Sequence, residues 1–165
     1  MRQIAHEPIG VIHTPFKQPS DTPIQGIFAP DIKGEVEVFP RYADGLQDVA
    51  GFSHLILIYH FHLAGGYVLT ARPFLDNRSR GIFSIRHFKR PNNIGLSVVR
   101  LDAVRGNTLD ISEVDIIDGT PLLDIKPYVP DFDQRSNVRT GWYASASNKH
   151  QYKQGKGAPQ RLEDF

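Results

Sequence analysis

Two stretches of this 165-residue chain bring together residue types that can do chemistry at short spacing. Arg86-His87-Phe88-Lys89-Arg90-Pro91-Asn92-Asn93-Ile94-Gly95 sets three cations and an aromatic ring beside a turn made of Pro, Asn and Gly. Guanidinium groups grip phosphate in bidentate fashion and stack on bases, and Phe88 offers a π-face, so the segment suits an anionic nucleotide or RNA strand. A merely basic β-turn is the other reading, but a turn needs no such density of guanidinium groups. The second stretch is Asp118-Gly119-Thr120-Pro121-Leu122-Leu123-Asp124-Ile125-Lys126-Pro127-Tyr128. Asp-Gly before Thr-Pro forces a tight turn with exposed backbone groups, after which Asp124, Lys126 and Tyr128 alternate as on one face of an edge strand. Such a turn suits a small polar cation or the edge of an adenine, or else it simply ends a strand.

Other chemistries are narrowed by what is missing. The absence of cysteine excludes disulfides, thiolate metal sites and cysteine nucleophiles, and with no argument for an oxidising compartment a cytoplasmic location is expected. His60 and His62 share one side of a strand, but no carboxylate or third histidine stands at a recognisable ligand spacing, so no metal is expected. His54, on an apolar run, reads as a hydrogen-bonded core histidine. No G-x-S-x-G elbow, Walker A loop or G-x-G-x-x-G loop appears. The net charge of +1 gives no global field for polyanions, yet the charges are segregated. Arg72, Arg78, Arg80, Arg86, Lys89 and Arg90 face only Asp76, whereas Asp110, Glu113, Asp115, Asp118, Asp124, Asp131 and Asp133 face only Lys126. These are either two solvated faces or a cationic site for an anionic ligand beside an acidic one for a cation.

The elements that must position these residues are strands. Fourteen glycines and twelve prolines leave little room for a long helix. Ile9 to His13, Gly34 to Phe39, Gly81 to Arg86, Leu96 to Val104 and Thr108 to Val114 read as strands. His54 to His62 reads as a central strand buried on both faces, and Asp44 to Val49 as a short helical turn. The fold class is therefore all-β: a small closed or nearly closed β-barrel with short helical turns. It occupies residues 1–133. Residues 134–165 form a C-terminal extension too polar to bury a core of its own, with Trp142 and Tyr143 anchoring its start. The most apolar stretch, Leu55 to Tyr59, is far shorter than the ~20 residues of a spanning helix, so no membrane association is expected.

In combination these blocks resemble the TsaA-like family, β-barrel enzymes that use S-adenosylmethionine to methylate N6-threonylcarbamoyladenosine at position 37 of tRNA. Ile9-Gly10-Val11-Ile12-His13-Thr14-Pro15-Phe16-Lys17 is similar to the family's opening strand and turn. Gly51-Phe52-Ser53-His54-Leu55 with Phe61-His62, then Arg72-Pro73, Gly81 to Arg86, Arg90 to Ser97 and Asp118 to Tyr128, follow in the family's order. The resemblance implies a pocket for S-adenosylmethionine formed by Pro15, Phe16, Lys17, Phe61, His62, Arg86, Leu96, Asp118, Gly119, Thr120 and Pro121. It implies substrate contacts from Arg90, Asn92, Asp124, Lys126 and Tyr128, tRNA as partner, and a homodimer whose second chain helps to close the site. It names no catalytic base. Some family members carry a further C-terminal domain, whereas about 35 residues follow Pro130 here, with Arg135, Arg139, Lys149, Lys153, Lys156 and Arg161 as cations for phosphate or for water. A non-catalytic RNA-binding barrel, or a methyltransferase of another nucleoside or small molecule, remain the competing readings.

Overall fold

Successive side chains of a strand point to opposite faces, so each strand of this chain can give one side to a common interior. The computed structural model describes residues 3–146. Six strands form the barrel: β1 (Gly10–His13), β2 (Lys33–Val38), β3 (His54–His60), β6 (Ile94–Arg105), β7 (Thr108–Ser112) and β8 (Thr120–Pro127). Between them, β4 (Thr70–Ala71) and β5 (Arg80–Gly81) make a separate two-stranded ladder, and a single helical turn, α1 (Pro130–Asp133), follows the barrel. The order around the barrel is β1-β2-β7-β6-β3-β8, every pairing is antiparallel, and β8 closes on β1. The inward side chains Ile12, Val36, Val38, Leu55, Leu57, Tyr59, Val99, Leu109, Ile111 and Leu122 fill the interior, with Val114 and Ile116 packed against them.

The strands expected at Gly34 to Phe39 and Thr108 to Val114 are found as β2 and β7, each with alternate residues buried, but three expectations need correction. The run from His54 is not buried on both faces: Leu55, Leu57 and Tyr59 are buried, Ile56 and Ile58 are half-buried, and His60 is exposed. A barrel strand has only one inner face, and here the outer one is apolar as well. Gly81 to Arg86 is not a strand, because Ile82–Ser84 forms a 3-10 turn. Its spacing buries Ile82 and Ile85 together, three apart, which a strand of period two cannot do. The helical turn expected at Asp44 to Val49 is split into 3-10 turns at Pro40–Leu46 and Val49–Gly51, separated by Asp48 in the left-handed region at φ 65°. β8 is an edge only in part: Thr120 to Leu122 pair with β1, and beyond Leu122 only β3 is alongside. Trp142 anchors the start of the extension, its indole N–H donating to the Ser84 carbonyl at 2.7 Å.

Register fixes which residues share a rim. Ile12 faces Thr120, His13 faces Glu35 and His60 faces Ile94, so the ends of β1 and β3 meet the beginnings of β2, β6 and β8. Gly95 lets this rim close: an added Cβ would lie 2.2 Å from the Tyr59 ring, which covers the position instead.

Candidate cofactor and substrate site

The rim is knitted by short side chains. Thr14 donates its hydroxyl to the Ile116 carbonyl at 2.8 Å and accepts from the Phe16 amide at 3.2 Å, which tightens the turn after β1. Its own amide donates to Asp118 Oδ1 at 3.0 Å, while the Asp118 and Gly119 amides donate back to the carbonyls of Phe16 and Ile12. Gly119 takes φ 75°, a conformation open to glycine without strain. Lys17 completes the contact, its ammonium 2.5 Å from Asp118 Oδ2. That hydrogen bond, followed by the one from the Thr14 amide, holds the Asp118 carboxyl below its ordinary value. Thr120 donates to the Ile117 carbonyl and lies 3.5 Å from His62 Nδ1. Burial, then the neighbouring His60, lowers the His62 pKa, so its imidazole is neutral at physiological pH.

The structure thus brings Pro15, Phe16 and Lys17 against Asp118, Gly119, Thr120 and Pro121, with His62 beside them. Phe61, next in the chain, stands edge-on to Tyr59 and to Phe88, with ring centroids at 5.3 and 6.5 Å. Arg86 reaches the same end of the barrel, where its guanidinium donates to Gln25 Oε1 at 2.6 Å. Leu96 opposes Ile58 on the outer face and is 52% exposed.

The expected substrate residues are more dispersed. Arg90 is tied to its own loop, donating to the carbonyls of Ile82 and Ile85 at 3.1 and 2.7 Å, while Asn92 is exposed. Asp124 and Lys126 pair at 2.7 Å on the outer side of β8, opposite Ile58 and Ile56. Tyr128 stands edge-on to His54, at the far end of β3 from His60. Six residues of strand separate those ends, about 20 Å, so Tyr128 and Asn92 of one chain do not meet the same small group.

Sequence reasoning missed a polar chain just inside the rim, of which Tyr59 and Ser97 are buried and Asp115 half-buried. Ser97 donates to Asp115 Oδ1 at 2.6 Å, so its hydroxyl accepts from Tyr59 at 3.0 Å. Asp115 Oδ2 accepts from the Gly26 amide at 3.2 Å. Burial pushes the Asp115 carboxyl and the Tyr59 phenol up. No local signal marks Ser97, because alternation would put the apolar Leu96 and Val98 inside and Ser97 outside, the reverse of what the barrel does.

Among the described residues no group of three or more His, Asp or Glu could hold a metal ion. An open groove of about 650 Å³ outside β1, β2, β7 and β6 is lined by paired charges, among them Lys33 with Asp102 and Arg105 with Glu35. Its lining sets three carboxylates (Glu35, Asp102, Asp110) against two cations (Lys33, Arg105), so it offers no excess cation to an anionic ligand.

A closed six-stranded antiparallel barrel with an Asp-Gly-Thr-Pro turn, two aromatic rings and an arginine at one rim defines a class of small ligand-binding β-barrels. Within that class, residues 11–134 match the model of the tRNA-methyltransferase O N-terminal domain, and the chain belongs to this family. It is 58% identical over 139 residues to a probable S-adenosyl-L-methionine-binding protein of Pyrococcus abyssi, covering 84% of this chain and 76% of that one. It is 34% identical over 156 residues to the tRNA (adenine(37)-N6)-methyltransferase of Escherichia coli, covering 88% of this chain and 66% of that enzyme. A crystal structure of TrmO superposes with a TM-score of 0.75 at 37% identity, covering 86% of this chain and 64% of that one. TrmO from Pseudomonas aeruginosa gives 0.72 at 35% identity, covering 85% and 62%. The chain therefore spans about two thirds of the length of the Escherichia coli enzyme and of these two structures.

Proposed function

We propose that the protein binds S-adenosylmethionine at the barrel rim and methylates N6 of threonylcarbamoyladenosine at position 37 of tRNA, in the cytoplasm. The observation that carries this reading is the convergence of Pro15 to Lys17, Phe61, His62, Arg86 and Asp118 to Pro121 at one end of the barrel. The donor set fits the cofactor's chemistry. Asp118, kept ionised, suits an ammonium or a ribose hydroxyl, Arg86 suits a carboxylate, and Phe16, Phe61 and Leu96 offer apolar walls for adenine. Bound there, S-adenosylmethionine supplies an electrophilic methyl group. The chain's own part is positioning: the hydrogen-bonded Asp118 turn fixes one end of the pocket and the aromatic rings exclude water, the conditions under which proximity lowers a barrier most. Neutral His62 is a hydrogen-bond acceptor at this rim.

The working form is a homodimer. Ile56 pairs with Val98, Ile58 with Leu96 and His60 with Ile94, so five of these six outward side chains make one apolar strip that runs to the rim. A second chain on that strip covers Leu96 and lies beside Asp124 and Lys126, which a single chain leaves on its outer face. This arrangement accounts for substrate residues that one chain holds apart.

Calorimetric titration with S-adenosylmethionine tests the cofactor, and labelled methyl transfer to tRNA with or without the threonylcarbamoyl group tests the acceptor. Binding, and label only in the modified tRNA, are expected. No heat with S-adenosylmethionine leaves a non-catalytic RNA-binding barrel. Equal label in both tRNAs points to another acceptor.

A further inference from the structure

Between β3 and β6 the chain leaves the barrel from Phe61 to Asn93 and returns through the β4–β5 ladder. Its charges are one-sided. Six cations, Arg72, Arg78, Arg80, Arg86, Lys89 and Arg90, share the excursion with the single acid Asp76, and six less one leaves five positive charges. Asp76 is taken by Arg80, which pairs with it directly. Arg86 and Arg90 lean on neutral oxygens, and the Lys89 ammonium lies 5.9 Å from the Phe88 ring centroid. Arg72 and Arg78 are exposed, and their guanidinium groups have no ion-pair or hydrogen-bond partner among the described residues.

The same excursion places rings in water. Phe83 is 77% exposed, with the Arg90 guanidinium 5.9 Å from its centroid, and Tyr67 is 62% exposed. A lone exposed phenylalanine needs no explanation. One backed by a guanidinium, on a cationic excursion that adjoins a ligand-binding rim, matches the parts of a surface that stacks unpaired bases while cations follow the backbone. The link to the rim is direct, since Phe88 of the excursion meets Phe61, and the Asn93 side-chain amide donates to the carbonyls of Gly66 and Phe88. The C-terminal segment docks here too, Trp142 bonding Ser84 beneath the Arg80 guanidinium. Beyond Ala146 the sequence adds Lys149, Lys153, Lys156 and Arg161 against Glu163 and Asp164.

We propose that the excursion from Phe61 to Asn93 is the docking surface for a single-stranded RNA loop, with Phe83 on its Arg90 support stacking a base and Arg72 and Arg78 contacting phosphates. The proposal rests on the tRNA reading and deepens it, because it says which side of the rim the anticodon loop approaches. Duplex RNA keeps its bases stacked and has no use for the ring.

The test is fluorescence anisotropy with a labelled RNA hairpin carrying an anticodon loop, at several salt concentrations, with thermal melts of every variant. Phe83→Ala is expected to bind about 10-fold more weakly, in line with the loss of one stacked base, and Phe83→Trp to restore binding. The double variant Arg72→Ala/Arg78→Ala is expected to bind more weakly and with a salt slope shallower by one to two. Lys33→Ala, which removes a cation already paired with Asp102 on another face, is expected to match wild type. If wild type binds the hairpin and the excursion variants bind equally well, the docking surface is overturned while the tRNA reading stands. If Phe83→Ala melts early and Phe83→Trp restores nothing, the ring is structural and the proposal falls. If wild type itself does not bind, the tRNA reading fails with it.

Discussion

Two aspartates three residues apart are driven in opposite directions by their surroundings. Asp118, at the surface, is held below its ordinary pKa by Lys17 and the Thr14 amide, so it stabilises the fold above its unfolded value and loses that contribution as pH falls through the folded one. Asp118→Asn keeps an acceptor for Thr14 but releases the exposed Lys17, so it is expected to cost under about 1 kcal/mol of stability. Cofactor affinity measured by calorimetry is expected to fall about 10-fold, since a hydrogen bond to a charged group is lost; unchanged affinity removes Asp118 from the pocket. Asp115, half-buried beside Ser97, is pushed up by the loss of water around its carboxyl, so its protonated form suits the fold better. Its contribution is present below the unfolded value and lost as pH rises through the folded one. Asp115→Asn turns one of the two acceptor oxygens into an amide donor, so the remaining oxygen serves the Gly26 amide while Ser97 must accept rather than donate, a rearrangement expected to cost about 1 kcal/mol at acid pH. Because the amide does not titrate, that deficit is expected to narrow as pH rises. Parallel melting-temperature curves for the two proteins across pH 4 to 8 contradict this account.

At the scale of elements, period-two alternation made β2 and β7 legible, since every second side chain had to be apolar for one face to be buried, whereas in β6 the alternating Ile94, Leu96 and Val98 lie on the outer face. The same rule could not say whether Ile56 and Ile58 were buried, because an apolar outer face looks like a second buried one until closure of the barrel defines an inside. Gly81 to Arg86 reads as a strand for a different reason: Arg90, several residues on, holds the carbonyls of Ile82 and Ile85 in a 3-10 turn, and a contact made later in the chain leaves no local period. The Asp118 turn was legible from its own residues. Asp115 was not, since its partners Ser97 and Gly26 come from distant segments. Gly95 shows how much one element depends on another. Gly95→Ala sets a methyl group against the Tyr59 ring, and displacing that ring disturbs both Ser97 and the Phe61 contact. Destabilisation of about 1–3 kcal/mol by denaturant titration is expected, typical of an overpacked core. A wild-type midpoint means that the ring has room to turn aside.

Taken as a whole, the barrel solves the edge problem of its sheet but leaves apolar surface outside. Closure of β8 on β1 satisfies the strand edges except where β8 outruns β1, and Pro127 lacks an N–H at the end of that exposed length. The ladder of Ile56 with Val98 and Ile58 with Leu96 has no such protection; Val98 is 38% exposed and Leu96 more so. In the proposed homodimer a two-fold contact sets the same strip of both copies face to face, so one set of side chains satisfies both surfaces. Charge at the centre of that contact separates the copies without touching the interior. Ile56→Glu/Val98→Glu alters only outward positions and is therefore expected to keep the far-UV circular dichroism of the barrel while sedimenting as a monomer, with wild type expected to sediment as a dimer. Because the proposed site borrows part of its wall from the second chain, the monomeric variant is also expected to transfer methyl groups at least 10-fold more slowly, about 1.4 kcal/mol of lost transition-state stabilisation. A wild-type monomer at micromolar concentration, or a monomeric variant of full activity, shows that one chain closes the site alone.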